Sequence, residues 1–432
     1  MSYKEKTIAL QQPVRTEPLP LEYPGIHHID QEEIDAAVNV LRDRSLWRYV
    51  GMNLRHEVES FEQEFRAFTG SRYALAVGSG TGALGTALSA LGVGPGQEVI
   101  IPPYLWVSVV SAVVGQGAIP VLADIDETFC LNPADVQRKI GPKTTGILMV
   151  HMSGAPGDIG GIRRLADQHG LWVLEDCAQC VGGTVSGRKV GTFGELGIFS
   201  FQMNKNMTSG EGGCVVTDDE TLYQRAVACH DMGFPRSADW QQLRFDDPSL
   251  FLWGKGTRLD ELRAAVLRVQ LRKLPRIIGN MRRSKYRIRE ALEAFPNVGL
   301  RAIQDTAGDT GPFLITTYPT AKIARHVNRR LIEEGIVSQP QGVFNIMMTD
   351  WGLHLYYNIL SLVEKTSVDK AGSPWKLAEN AGLDHDYHKG ACPVADDLFE
   401  RSILLPIPSC LTEKDEEDIV NAFGKVLTET FA

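Results

Sequence analysis

The chain lacks any run of about 18 apolar residues, the length a membrane-spanning helix needs. Its opening stretch, MSYKEKTIALQQPVRTEPLP, lacks the apolar centre of a secretory leader. Cationic excess is missing as well. Lys and Arg number 44 against 53 Asp and Glu, a net charge of −9, whereas a broad nucleic-acid footprint needs a basic face. Cysteine is sparse and odd in number, seven residues scattered from Cys130 to Cys410. That argues against a disulfide framework and for a reduced, cytoplasmic protein. The C-x-x-C pair Cys177 and Cys180 has no second pair to complete a zinc site, and His385 with His388 comes without H-E-x-x-H. Buried thiols and no metal are the expectation. Internal repeats and low-complexity segments are absent too.

What is present is an ordinary globular balance, 43% hydrophobic and 22% charged, in 432 residues. That length exceeds what one core usually serves, so a large and a smaller domain are expected. The first 25 residues carry four prolines and read as an extended arm able to drape over a partner subunit. Asp30 with Glu33 has capping-box spacing ahead of EEIDAAVNVLRDR. Residues 55–69 put Val58, Phe61, Phe65 and Phe68 on one helical face, with Gly70 as the stop. From there to about residue 220 short apolar runs alternate with helical patterns. The runs are Tyr73–Val77, Glu98–Ile101, Pro120–Ala123, Ile147–His151, Trp172–Glu175, Leu196–Phe201 and Cys214–Thr217. This predicts an α/β fold with a mostly parallel central sheet flanked by helices. Arg258–Leu274 reads as an amphipathic helix ended by Pro275, with a second helical run over 276–296. FLITTYP, AKIARHVNRRLIEEG and a helix near 413–430 predict a smaller C-terminal α+β domain. The division is an arm over 1–29, a large α/β domain over 30–290 and a small domain over 291–432.

Three stretches carry chemistry. In VGSGTGALG, Gly80, Gly82 and Gly85 spell G-x-G-x-x-G between a strand and a helix. A dinucleotide site also wants an acid at the end of the next strand. Here that strand is EVII; it ends in Pro102 and Pro103, and its acid, Glu98, stands at its start. What survives is a helix N-terminus suited to an anion; a tight turn without ligand gives the same pattern. In LWVLEDCAQCVGG an apolar strand ends in Glu175 and Asp176, where ligands of open α/β sheets lie; a helix-capping Asp is the plainer reading. In IFSFQMNKNMTSGEGG a strand leads through Ser200 to Lys205 and a glycine-rich turn. Such a lysine, desolvated, can form a Schiff base. Lysine, acid and anion cup together are the parts of a pyridoxal 5′-phosphate (PLP) site.

Over nearly its whole length, and most closely over 55–275, the chain resembles the DegT/StrS family of PLP-dependent sugar aminotransferases. The segments that carry the resemblance are GSGTGAL, GQEVIIPPYLW, DIDETFCLNP, VLEDCAQCVGG, FSFQMNKNMTSGEGG and RLDELRAAVLRVQL. The resemblance implies the aspartate-aminotransferase fold, PLP-dependent transferase fold type I. It implies Lys205 as the Schiff-base lysine and proton shuttle, Asp176 at the pyridine nitrogen and Gln179 at the phenolic oxygen. Gly80, Thr81 and Ser200 are implied at the phosphate and Trp106 stacked on the ring, although Trp106 also reads as a core tryptophan. Gly82 and Gly85 are expected to serve close packing. The implied activity is ping-pong transfer of an amino group from glutamate or glutamine to a keto or aldehyde sugar, sugar nucleotide or cyclitol, in a homodimer with shared active sites. IPPY, DIDETFCLNP and VHMSG are similar to the branch that aminates an octulosonate sugar, and cyclitol aminotransferases are similar too. The rivals are a PLP enzyme of the same fold with dehydratase, oxidase or epimerase chemistry, a PLP-binding regulator without catalysis, and a nicotinamide oxidoreductase; Lys205 disfavours the dehydratase branch. The segment GKGTRLDE departs from the family pattern, with Gly256 where an Asn reaches the partner's phosphate and Lys255 or Arg258 as substitutes. Leu105 replaces the usual threonine, and TDWGLHLYYNILSLVEKTSVDKAGSPW is longer than typical and placed to shape the substrate pocket.

Overall fold

The computed structural model describes residues 12–237, 239–240, 242–339 and 344–432; the first eleven residues of the predicted arm lie outside it. The described part of the arm lies along its own chain. The Arg15 and Leu19 amides donate to the Glu334 and Val337 carbonyls at 3.0 and 2.8 Å. The Arg15 guanidinium reaches Asp415 and Asp418 at 2.8 and 2.9 Å.

The arm leads into α1 (Gln31–Asp43), whose N-terminus is closed by the Asp30–Glu33 capping box. Next comes α2 (Glu57–Thr69), ended by Gly70 at φ 81°. Then strands and helices alternate: β1 (Tyr73–Val77), α3 (Gly80–Ala90), β2 (Glu98–Ile101), α4 (Val107–Gly115), β3 (Ile119–Leu122), α5 (Pro133–Lys139), β4 (Thr144–Val150), α6 (Ile159–His169) and β5 (Trp172–Asp176). A small hairpin of β6 (Thr184–Val185) and β7 (Arg188–Lys189) precedes β8 (Leu196–Ser200), β9 (Gly213–Thr217) and α7 (Glu220–His230). The seven-stranded sheet runs β1-β9-β8-β5-β4-β2-β3. Only β9 is antiparallel to its neighbours. Its strands are buried along nearly their whole length, which is why they read as continuous apolar runs rather than alternating ones. Phe65 of α2 sits edge-on to Phe199 of β8 at 5.0 Å and to Phe201 at 5.5 Å, so it packs directly on the strand that leads to Lys205.

The break expected at Pro275 does not occur. A single helix, α8 (Glu261–Leu292), runs through it, capped by Asp260. A proline inside a helix removes one hydrogen bond and costs about 3 kcal/mol. Here the ring faces solvent, while Leu271 and Leu274 on one side and Ile277 and Met281 on the other are buried in two different cores. Burial on both sides carries the helix across the proline, and α8 thereby joins the cores.

Beyond it come β10 (Gly299–Leu300), β11 (Phe313–Thr317), α9 (Ala321–Glu333), β12 (Ile346–Met347), the one-turn α10 (Leu360–Val363), α11 (Pro393–Glu400), β13 (Ser402–Pro406) and α12 (Glu413–Phe431). The second sheet is antiparallel, in the order β10-β11-β13-β12. The segment between β12 and β13 does not stay with that sheet. Tyr356, Ile359, Leu362, Tyr387 and Phe399 pack into the core of the large sheet, and the Leu105 amide donates to the His354 carbonyl at 3.0 Å. Among the described residues no helix is long and apolar enough to cross a membrane.

Replacing Phe65 by Ala should remove about 3–5 kcal/mol of stability, read as a lower urea or thermal midpoint; an unchanged midpoint would show that this ring does not hold α2 against β8.

Candidate active site

The turn after β1 is shaped by a close approach. Ser79 caps α3, its Oγ accepting from the Gly82 amide at 3.0 Å. A Cβ on Gly80 would stand 2.6 Å from Ser200 Cβ, and one on Gly213 would stand 2.4 Å from the Ser79 carbonyl oxygen. Tight packing was expected of Gly82 and Gly85, but the tight positions are Gly80 and Gly213. A Cβ on Gly82 would meet nothing nearer than 3.3 Å, and one on Gly85 nothing nearer than 3.7 Å. The approach sets the N-terminus of α3, where amides of the first turn have no helical partner, beside the end of β8. Thr81 Oγ1 lies 2.8 Å from Ser108 Oγ, adding two hydroxyls at the same end.

Around this terminus a cavity of about 510 Å³ opens at the carboxyl ends of β1, β5 and β8. Every site residue named from the sequence lines it: Gly80, Thr81, Trp106, Asp176, Gln179, Ser200 and Lys205. Trp106 is not a core residue; it is 43% exposed at the start of α4. Asp176 ends β5 almost fully buried and accepts from the Ala178 amide at 2.9 Å. Burial pushes its pKa up, while that amide and the charges of Lys205 and His151 pull the other way. Burial likewise holds the Lys205 ammonium below its ordinary range, against the pull of Asp176 and Glu211. Gln179 Oε1 accepts from the Ser153 amide at 2.9 Å.

Behind Asp176, His151 Nε2 lies 3.1 Å from Glu175 Oε2. With Cys177 these two form a compact buried group that could hold a metal ion. Both carboxylate oxygens of Glu175 are already used, Oε1 by the amides of Phe193 and Gly194 and Oε2 by His151 and the Gly191 amide. The His151 ring also accepts from the Gly157 amide, so the group is a hydrogen-bonded brace for β5. Cys177 and Cys180 are buried, free and pushed well up by desolvation, which suits neither redox nor zinc chemistry.

Sequence reasoning missed Glu22, Ser108 and Phe313 in the lining, whereas Trp351 and His354 belong to the long segment expected to shape the pocket. His354 stacks on Trp351 with centroids 4.5 Å apart and lies 4.8 Å from the Trp106 ring. Its Nδ1 faces the Trp351 carbonyl at 2.9 Å, so Nδ1 carries the proton and Nε2 is an acceptor. Desolvation lowers its pKa to about 4. The signal available in the sequence was the unusual aromatic segment around DWGLH. Of the two proposed substitutes for the Asn at Gly256, Arg258 is paired with Asp231 at 2.8 Å and Lys255 reaches the Gly85 carbonyl at 3.3 Å.

Comparison with known proteins gives one consistent picture. The model of the DegT/DnrJ/EryC1/StrS aminotransferase family matches residues 27–347. An L-glutamine:2-deoxy-scyllo-inosose aminotransferase of Streptomyces kanamyceticus is 37% identical over 286 residues, 64% of this chain and 65% of its own length. The match thus spans a little under two thirds of that relative. A UDP-N-acetyl-3-dehydro-alpha-D-glucosamine 3-aminotransferase of Acidithiobacillus ferrooxidans is 32% identical over 87% of this chain and 89% of its own. Among solved structures, DesV of S. venezuelae in complex with a ketimine intermediate superposes with a TM-score of 0.74 at 26% identity, covering 96% of this chain and 100% of that one. Aminotransferases of this family are PLP enzymes.

His354 should remain neutral down to about pH 5 in an NMR titration of its ring nitrogens. Its folded value of about 4 lies below the ordinary 6.5, so between these two the unfolded chain takes up a proton that the folded chain refuses. The stability it contributes is complete above 6.5 and is lost as the pH falls toward about 4. A ring that charges near 6.5 would contradict this.

Proposed function

The chain belongs to the DegT/DnrJ/EryC1/StrS aminotransferase family, and on that footing we propose that it is a PLP-dependent aminotransferase. It moves an amino group from glutamate or glutamine to a keto or aldehyde carbon of a sugar, sugar nucleotide or cyclitol, in two half-reactions. The observation that carries this reading is one cavity lined by Lys205, Asp176 and the N-terminus of α3. The acid ends β5, and the lysine stands in the turn that follows β8, the parallel neighbour of β5. Relatives named for a cyclitol and for a sugar nucleotide support the acceptor class.

The donor set fits PLP. A helix N-terminus with no room for a Cβ, together with the hydroxyls of Thr81 and Ser200, makes an anion cup. Trp106 stands at the edge as a stacking surface, and a single buried carboxylate, Asp176, faces the same space. PLP, when bound, supplies an aldehyde that exchanges with amines and an electron-withdrawing ring. Asp176 would keep a proton on the ring nitrogen, and that cation would in turn keep the buried carboxylate ionised. Gln179 would donate to the phenolic oxygen. Lys205 Nζ would hold the cofactor's aldehyde carbon, and as a free amine the same Nζ would take and return a proton at the substrate carbon. Its depressed pKa leaves Nζ more often neutral, and so able to accept that proton.

The seven free thiols suit a reducing cytoplasm. A homodimer would cover the apolar side chains exposed at Met52, Met232, Phe245 and Trp253.

Borohydride reduction of the PLP-loaded protein should fix the cofactor to the peptide containing Lys205, identified by mass spectrometry. Lys205→Ala should lose both that adduct and amino transfer. Asp176→Asn should keep the adduct and lose on the order of 10²–10⁴-fold in turnover. Trapping on a different lysine, or transfer that survives Lys205→Ala, would refute the assignment.

A further inference from the structure

Arg301 follows β10, is 3% exposed and reaches across from the small sheet to the loop after β4. Its Nε donates to the Thr128 carbonyl at 2.7 Å and Nη1 to the Met152 carbonyl at 2.8 Å, with the Ser153 carbonyl at 3.5 Å. Nη2 donates to the Ala155 carbonyl at 3.2 Å and approaches Cys130 Sγ at 3.5 Å. Burying a cation is costly unless its donors are satisfied. Here the planar fork is spent on main-chain carbonyls, most of them belonging to residues 152–155.

That loop is held in an unfavourable shape. Ser153 has φ 53° and Gly154 φ 82°, and a non-glycine residue keeps such a conformation only when its neighbours over-determine it. Besides Arg301, the Thr310 amide donates to the Gly154 carbonyl at 2.9 Å, and Ser153 Oγ lies 2.8 Å from Tyr104 Oη. The consequence lies in the cavity. The Ser153 amide, which can only donate, points at Gln179 and so decides which end of that side-chain amide is oxygen. With Oε1 turned to Ser153, the NH2 group is left as the donor; one of its contacts is the His354 ring at 3.5 Å.

We propose that Arg301 is a positioning residue for the cofactor site: by clamping residues 152–155 it fixes the Ser153 amide, and through it the donor face of Gln179. The inference rests on the reading that the cavity holds PLP with Gln179 at its phenolic oxygen. A donor there favours the anionic oxygen and lowers the pH at which the visible band of the bound cofactor titrates; losing it raises that midpoint. A lysine keeps the charge of Arg301 but offers one point of donors, which cannot span these carbonyls.

The test uses the PLP-loaded protein and spectrophotometric pH titration. Gln179→Ala should raise the midpoint by about one pH unit. Arg301→Lys and Arg301→Met should raise it by a similar amount, and combining either with Gln179→Ala should add nothing further. Amide hydrogen exchange over residues 152–155, measured without cofactor, should quicken in both Arg301 variants. Faster exchange with an unmoved midpoint would reduce Arg301 to structural support and overturn the proposal. So would additive shifts, or a Gln179→Ala protein with the wild-type midpoint. If Arg301→Met does not fold, Arg301→Lys carries the comparison. Borohydride trapping on wild-type Lys205 separates the two levels: trapping without a midpoint shift sinks this inference alone, and no trapping sinks the functional reading and this inference with it.

Discussion

The site depends on one close approach. The turn after β1 meets the ends of β8 and β9 so tightly that side chains are excluded at Gly80 and Gly213. That contact sets the N-terminus of α3 against Ser200 and opens its free amides into the same space as Lys205 and Asp176. A Cβ at Gly80 would push the helix away from the strand end, and the anion cup would part from the lysine. Close approach of backbone to ligand is a common reason for glycine in such turns; here the closeness first serves strand against helix.

Within that space burial and charge work against each other. Desolvation raises Asp176 and lowers Lys205, while each group favours the charged form of the other. Both therefore sit nearer to exchanging a proton than they would in water, which suits a site that handles protons. His354 is held neutral by the same desolvation, with its proton fixed on Nδ1 by the Trp351 carbonyl. The brace of His151 and Glu175 keeps β5, and with it Asp176, in place from behind.

The two sheets are not independent bodies hung on a linker. α8 passes from one core to the other through Pro275. The segment carrying Trp351 and His354 leaves the small sheet to line the cavity and pack in the large core. The arm, described from residue 12, runs along the end of α9 and the start of α12 and brings Glu22 to the cavity edge. The candidate site is thus assembled from stretches as far apart in the chain as Glu22 and His354.

Much of this was legible in local pattern. The strands of the large sheet are continuous apolar runs because both faces are buried, and the helices carry their own caps, as at Asp30 and Gly70. Asp176, Gln179, Ser200 and Lys205 stand in two contiguous motifs, so their convergence follows once two parallel neighbours end at the same edge. Pro275 was misread because local propensity opposes a helix there, whereas burial in two cores outweighs it. The segment carrying His354 was legible as pocket-lining, but its contact with Gln179, 175 residues away, was not, and Arg301 left almost no local signal, since its meaning lies in partners such as Met152, 149 residues away. The sequence by itself determined the alternating fold, the acid at a strand end, the lysine in the turn after a later strand, and the glycine turn, because each is written in residues that are neighbours along the chain. Which glycines touch, which way Gln179 faces, and what encloses the cavity were decided only when distant segments packed, because those choices are made by contacts that no stretch of sequence contains.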